Sequence, residues 1–144
     1  MIRAFIDTSV LFSACLSATG ASRALMIEAV GGRLTLVISD VVLEEANRNL
    51  TGKAPHVLPV LAALLATIPF EVVVVPVEAI QAAEVYTVRK DAPIAAGAKV
   101  AGVDHLCSLD RKDLVDNAEV IRQSGLSIVL PGQLLDMVRT SPNE

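Results

Sequence analysis

A chain of 144 residues with 53% hydrophobic side chains is long and apolar enough to bury a core, which excludes a disordered segment and fits a single domain. A net charge of −4 and the lack of tryptophan argue against binding nucleic acid mainly through a basic face or a base-stacking platform, unless clustered acids hold metal ions that invert the local field. The two cysteines, Cys15 and Cys107, form no CxxC or Cys/His pattern and read as buried free thiols, which suits a reducing cytosol.

Ile2 to Ile6 is short, apolar and β-prone, the signature of a buried strand. Strand one starting at residue 2 leaves no room for a signal peptide, so a cytoplasmic protein is expected. Val10 to Leu16 is an apolar helical run, broken at Ser17 to Gly20. Ala21 to Val30 carries Leu25, Met26, Ala29 and Val30 at helical spacing and stops at Gly31-Gly32. Arg33 to Ile38 suits a second strand, and Ser39 is a natural N-cap for a helix from Asp40 to Leu50. His56 to Ala66 is strongly apolar and helical. With Val57 to Phe70 too short to span a bilayer and interrupted by Pro59 and Pro69, it reads as a core helix rather than a membrane segment.

Phe70 to Val75 is a third strand, and Pro76 precedes a helix from Val77 to Arg89. Asp91, with Pro93 in the first turn, opens an Ala-rich helix that runs through Ala101 to Gly102. Asp104 to Leu109 is a fourth strand, followed by Asp110 and a short turn from Arg111 to Leu114. A helix from Ala118 to Gln123, a fifth strand from Ser127 to Leu130 and a last helix from Gln133 to Val138 complete the chain, with a frayed tail from Thr140 to Glu144. Strands that alternate with helices imply a parallel sheet covered on both faces.

In such a sheet, ligands sit beyond the carboxyl ends of the strands. Asp7 follows strand one, Asp110 follows strand four, and Asp91 begins the Ala-rich helix. Asp7 also reads as a simple N-cap of the next helix. After strand two stand Glu44 and Glu45. At about 100° per residue, Val42, Leu43, Ala46 and Leu50 define the buried face; Glu45 flanks it and Glu44 points nearly opposite, so Glu45 is favoured over Glu44, with two solvated glutamates as the alternative reading. Carboxylates gathered at strand ends repel one another, and without a cation some take up protons. With Mg²⁺ or Mn²⁺ they become hard-oxygen ligands, and such an ion activates water and stabilises charge on a phosphodiester. Thr8 and Ser108 are placed to hydrogen-bond ligand carboxylates or the waters of a bound metal. Neither His56 nor His105 reads as a general base, and no GxGxxG or phosphate-binding loop is present.

The ordered set Ile-Asp7-Thr-Ser-Val-Leu, Ser39-x4-Glu44-Glu45, Asp91-Ala-Pro-Ile-Ala-Ala and Asp104-His-Leu-Cys-Ser-Leu-Asp110 resembles the PIN domain over about residues 2 to 130. The resemblance implies a three-layer α/β/α sandwich around a mainly parallel sheet of about five strands. It also implies a metal-dependent ribonuclease, a family that includes the toxins of bacterial toxin–antitoxin pairs. Asp7, Glu45, Asp91 and Asp110 would form the catalytic, metal-binding site for Mg²⁺ or Mn²⁺, with Ser108 where a small hydroxyl residue usually stands. Asp104 is a weaker candidate. RNA is the implied substrate and an antitoxin protein an implied partner. Arg89, Lys90, Arg111 and Lys112 flank Asp91 and Asp110 and read either as phosphate contacts or as a solvated loop face.

Two other readings are weighed. A phosphatase or receiver domain on a similar sheet does not fit, because Ser9 stands where the phosphatase pattern wants a second acid, and the receiver pattern wants its acid after the middle strand and a Lys after the last. A non-catalytic binding or scaffold module that keeps the fold is the alternative. A homodimer is expected from the many apolar helices on a small domain.

Overall fold

The computed structural model describes residues 1–141. Five strands, β1 (Arg3–Ile6), β2 (Thr35–Ser39), β3 (Glu71–Val73), β4 (His105–Cys107) and β5 (Ile128–Val129), form one sheet in the order β3-β2-β1-β4-β5. Every pairing is parallel. Phe5 and Ile6, Leu36 and Ile38, and Leu106 are fully buried, which is why these segments are nearly continuous apolar runs rather than alternating ones.

The connections dictate the layers. From β1 the chain steps to β2 and then β3 on one side, returns to β4 on the other side of β1, and ends at β5. Right-handed crossovers in opposite directions put their helices on opposite faces. One layer holds α1 (Thr8–Leu16), α2 (Ala21–Val30), α3 (Asp40–Lys53) and α4 (Leu58–Thr67), with α8 (Pro131–Thr140) packed on α2. The opposite crossovers carry α5 (Val77–Ala83), α6 (Ala92–Ala101) and α7 (Ala118–Ser124); α6 lies across the sheet and packs on α5. Gly97 sets how closely α6 approaches: a Cβ there would stand 2.8 Å from Phe5 Cζ. The expected α/β/α sandwich with a five-stranded parallel sheet is what the chain forms.

Several boundaries differ from the sequence reading. β3 is Glu71–Val73 rather than Phe70 to Val75, because it is an edge strand between Pro69 and Pro76 and the Val75 amide turns to the Asp40 carboxylate (3.4 Å). α5 ends at Ala83, not Arg89. The β-branched Val85, Thr87 and Val88 that follow are weak helix formers, and the Thr87 hydroxyl bonds back to the Ala83 carbonyl at 2.9 Å. α3 continues to Lys53, and a 3₁₀ turn at Pro55–Val57 precedes α4. Thr140, read as frayed, closes α8; residues 142–144 of that tail lie outside the described residues. Cys15 and Cys107 are both buried and free.

Candidate acidic site

The strand order reverses beside β1, where β2 and β4 flank it, and this is where a parallel sheet opens a crevice at its carboxyl end. Asp7 follows β1 and Asp110 lies just past β4 at that crevice. The Asp7 amide donates to the Cys107 carbonyl (3.2 Å), which ties the end of β1 to the end of β4.

Asp7 is only 5% exposed. It caps α1, with its Oδ1 accepting from the Val10 amide at 3.1 Å, so the capping role is real. Capping uses only part of the carboxylate. Oδ1 also accepts from Ser9 Oγ and Oδ2 from Ser108 Oγ, both at 2.5 Å. Ser108 Oγ in turn accepts from the Asp110 amide (3.0 Å), and Ser9 Oγ from the Leu109 amide (3.2 Å). Two hydroxyls therefore stitch the start of α1 to the end of β4. Thr8, the other hydroxyl named from sequence, makes no such bond. Its hydroxyl is buried and has no partner among the described residues. The bond to the Asp7 carboxylate comes from Ser9, one residue further into the first turn of the helix.

Asp91 precedes α6 at the N-cap position but makes no capping bond. It is 7% exposed, and its Oδ2 is buried with no hydrogen-bond partner among the described residues. Around it stand Asp110 and Asp113: one carboxylate oxygen from each of the three lies within 4.8 Å of the others. Asp110 caps a turn of π-helix at Arg111–Val115 by accepting from the Asp113 amide at 3.0 Å, and that turn brings Asp113 back to the site. Asp113 escaped the sequence reading. Its signal was its spacing, three residues after Asp110 at the start of a turn.

Burial pushes the Asp91 carboxyl up to about 7, with the nearby Asp110 charge adding to the effect. Burial also raises Asp7, partly offset by its bonds from Ser108 and Ser9. Buried carboxyls with raised pKa values and an unpartnered oxygen are costly without a counter-charge. Lys90 supplies part of one: its Nζ is 3.6 Å from both Asp110 and Asp113, and the carboxylates of Asp91 and Asp110 raise its pKa. Lys90 is 69% exposed, however, and leaves the buried Asp91 oxygen unanswered. An all-carboxylate donor set with one orphaned oxygen fits a hard divalent cation.

The other sequence candidates fall as follows. Glu45 is half-buried on α3 and lines a cleft with Thr8 and Ser9, outside the close group formed by Asp91, Asp110 and Asp113. Glu44 is exposed and pairs with Arg48 at 3.8 Å. Asp104 lies at the other end of the sheet, where it accepts from the Arg3 amide at 2.8 Å, and does not join the site. Arg89 is paired with Glu84 (3.6 Å) and Arg111 with Asp116 (2.9 Å), while Lys112 is exposed.

Residues 3–112 match the sequence profile of the PIN domain. Among solved structures, the chain is similar to PAE2754 from Pyrobaculum aerophilum, with a TM-score of 0.69 and 19% identity over 97% of this chain and 91% of that one. It is similar to VapBC2 from Rickettsia felis, solved bound to a DNA fragment from their promoter, with a TM-score of 0.65 and 15% identity over 90% and 98% of the two chains. It is also similar to VapC20 of Mycobacterium tuberculosis, a sarcin–ricin loop cleaving toxin, with a TM-score of 0.56 and 19% identity over 76% and 91%. At these identities the likeness shows the fold. Comparison with curated proteins finds no match.

Proposed function

The chain belongs to the PIN-domain family, and on that footing we propose that it is a divalent-metal-dependent endoribonuclease that hydrolyses RNA phosphodiester bonds in the cytoplasm. One observation carries the reading: the buried, unpartnered Asp91 oxygen set against the carboxylates of Asp110 and Asp113. Asp91, Asp110 and Asp113 would hold Mg²⁺ or Mn²⁺. Asp7, outside that close group, fixes Asp110 through the shared Ser108 hydroxyl and would add its negative charge beside the ion. Glu45 extends the acidic surface from α3. When bound, the ion supplies Lewis-acid stabilisation of the charge that builds on the phosphodiester. Lys90, on a long exposed stem, neutralises Asp110 and Asp113 and can turn to an arriving phosphate, with Arg89, Arg111 and Lys112 on the surrounding loops.

Removing the metal tests this reading. With Mn²⁺ the protein should cleave unstructured RNA, and an excess of chelator should stop cleavage while the far-ultraviolet circular dichroism stays the same. Cleavage that persists in chelator would rule the reading out.

An antitoxin that covers the acids with a basic side chain is the partner the toxin version calls for; VapBC2 and VapC20 among the structural relatives support that version. A second copy of the chain is the proposed partner for the outer face of α4. Only Leu61 of that apolar helix is buried, Leu65 is 37% exposed, and residues 54–70 contain no Asp, Glu, Lys or Arg. Two acidic copies meet there without like-charge repulsion. Sedimentation should therefore show a dimer, and Leu65→Glu should shift it to monomer; a parent chain that is monomeric at high micromolar concentration would rule out this face. Among the described residues no single helix is long and apolar enough to cross a membrane.

A further inference from the structure

A cleft of about 480 Å³ runs between α1 and α3, lined at one end by Thr8, Ser9 and Leu109, the chain neighbours of Asp7 and Asp110. One face of each helix lines it at helical spacing: Ser9, Phe12 and Ser13 from α1, and Glu45, Asn49 and Lys53 from α3. Thr8, with its buried and unpartnered hydroxyl, lies at the end nearest Asp7. Lys53 Nζ is 6.0 Å from the centroid of the half-buried Phe12 ring and forms no ion pair among the described residues. Lys53 is not one of the four cations flagged from sequence.

We propose that this cleft is a subsite for single-stranded RNA beside the scissile phosphate, an inference that rests on the nuclease reading above. Its chemistry is graded along its length. Glu45 lies at the inner end, with Thr8 and Ser9 beside Asp7 and Leu109 beside Asp110. In the middle, Phe12 offers one aromatic face for an unstacked base once Lys53, whose ammonium stands over that ring, swings toward a phosphate, and the Asn49 amide and the Ser13 hydroxyl offer donors and acceptors for a base edge or a 2′-hydroxyl. Lys53 closes the outer end with a positive charge for a backbone phosphate. From Glu45 to Lys53 the α3 axis advances about 12 Å. Phosphates in a stacked strand are spaced about 3.4 Å along its axis, so about three or four nucleotides span the cleft. A base must leave its stack to reach Phe12, which selects single strands over duplex.

The test is binding of a short, labelled, unstructured ribo-oligonucleotide, followed by fluorescence anisotropy across a salt series in an Asp7→Asn background that does not consume it. Lys53→Ala should weaken binding roughly threefold to tenfold and reduce the slope of log affinity on log salt by about 0.7, the value for one phosphate contact on a single strand. Phe12→Leu, which keeps an apolar side chain against the core, should weaken binding about tenfold at every salt concentration and leave the slope alone. Unchanged affinity in both variants, while the parent chain cleaves RNA with Mn²⁺, would overturn the subsite and leave the nuclease reading standing. A salt effect at Lys53 with no effect at Phe12 would also overturn it, because the strand would then pass along a charge without seating a base. A parent chain that neither binds nor cleaves RNA would fail the nuclease reading itself, and the subsite with it.

Discussion

Replacing Asp7 by asparagine should lower metal-dependent RNA cleavage by more than about a hundredfold while leaving the fold intact. Asparagine caps a helix as well as aspartate does, so the Val10 amide keeps its acceptor. What asparagine cannot reproduce is a negative, acceptor-only carboxylate that takes both the Ser9 and the Ser108 hydroxyls. Loss of an outer partner such as Ser108 costs about 10–100-fold in comparable metal sites, and loss of the carboxylate it supports should cost more. Ser108→Ala should therefore fall between the parent and Asp7→Asn. Stability should move the other way. The folded pKa of Asp7 is raised by burial, so the ionised carboxylate destabilises the metal-free fold, increasingly as pH rises through that pKa. A neutral isostere removes that penalty, and the metal-free melting temperature of Asp7→Asn at neutral pH should equal or exceed that of the parent. Thermal melts beside cleavage rates check both halves. Near-parental cleavage by a well-folded Asp7→Asn would remove Asp7 from the site.

The metal-free protein should lose stability as pH rises from about 5 to 8, and a divalent cation should restore it. Asp91 goes from an ordinary value of 3.8 to about 7 in the fold. Across that window the folded state binds the proton and the unfolded state has released it. Stability from the protonated form is therefore complete below the ordinary value and is lost as pH rises through about 7. At 1.36 kcal/mol per pKa unit, the loss is on the order of 2–4 kcal/mol. Asp91→Asn removes the titrating group. It should reduce the loss between pH 5 and 8 to the part that Asp7 contributes, abolish the restoration by Mn²⁺, and abolish cleavage. Chemical denaturation at both pH values, in chelator and in Mn²⁺, reads each of these. A parent chain equally stable at both pH values in chelator would contradict the assignment of a burial-raised carboxyl to Asp91.

The fold was legible because its strands are buried on both faces and so are written as apolar runs, each ended by a turn or a capping residue. Ser39 illustrates this: it caps α3 by accepting from the Val42 amide at 3.2 Å, as its place after an apolar strand implies. Edge elements were less legible. The β-branched run at 70–75 has the composition of a full strand, but only the part that pairs with β2 becomes one. The helix after Pro76 was read too long because weak helix formers near its end count for little until the chain must turn to deliver Asp91. At the site, an acid directly after an apolar strand stands out, and Asp7 and Asp110 both have that form. Choosing between adjacent Thr8 and Ser9 requires the angle at which α1 leaves the sheet. Asp113 depends on a turn of π-helix with no signature in its composition. Glu45 shows the limit of helix phase, which chose correctly which glutamate flanks the core but not how far that side chain lies from the other acids.

The central claim, that Asp91, Asp110 and Asp113 share a divalent ion, is tested most directly by anomalous scattering from a crystal soaked in Mn²⁺. The account predicts a peak at ligand distance, about 2.1 Å, from carboxylate oxygens that include the buried oxygen of Asp91. No peak among these carboxylates at saturating Mn²⁺, or a peak only on exposed acids elsewhere, would contradict it.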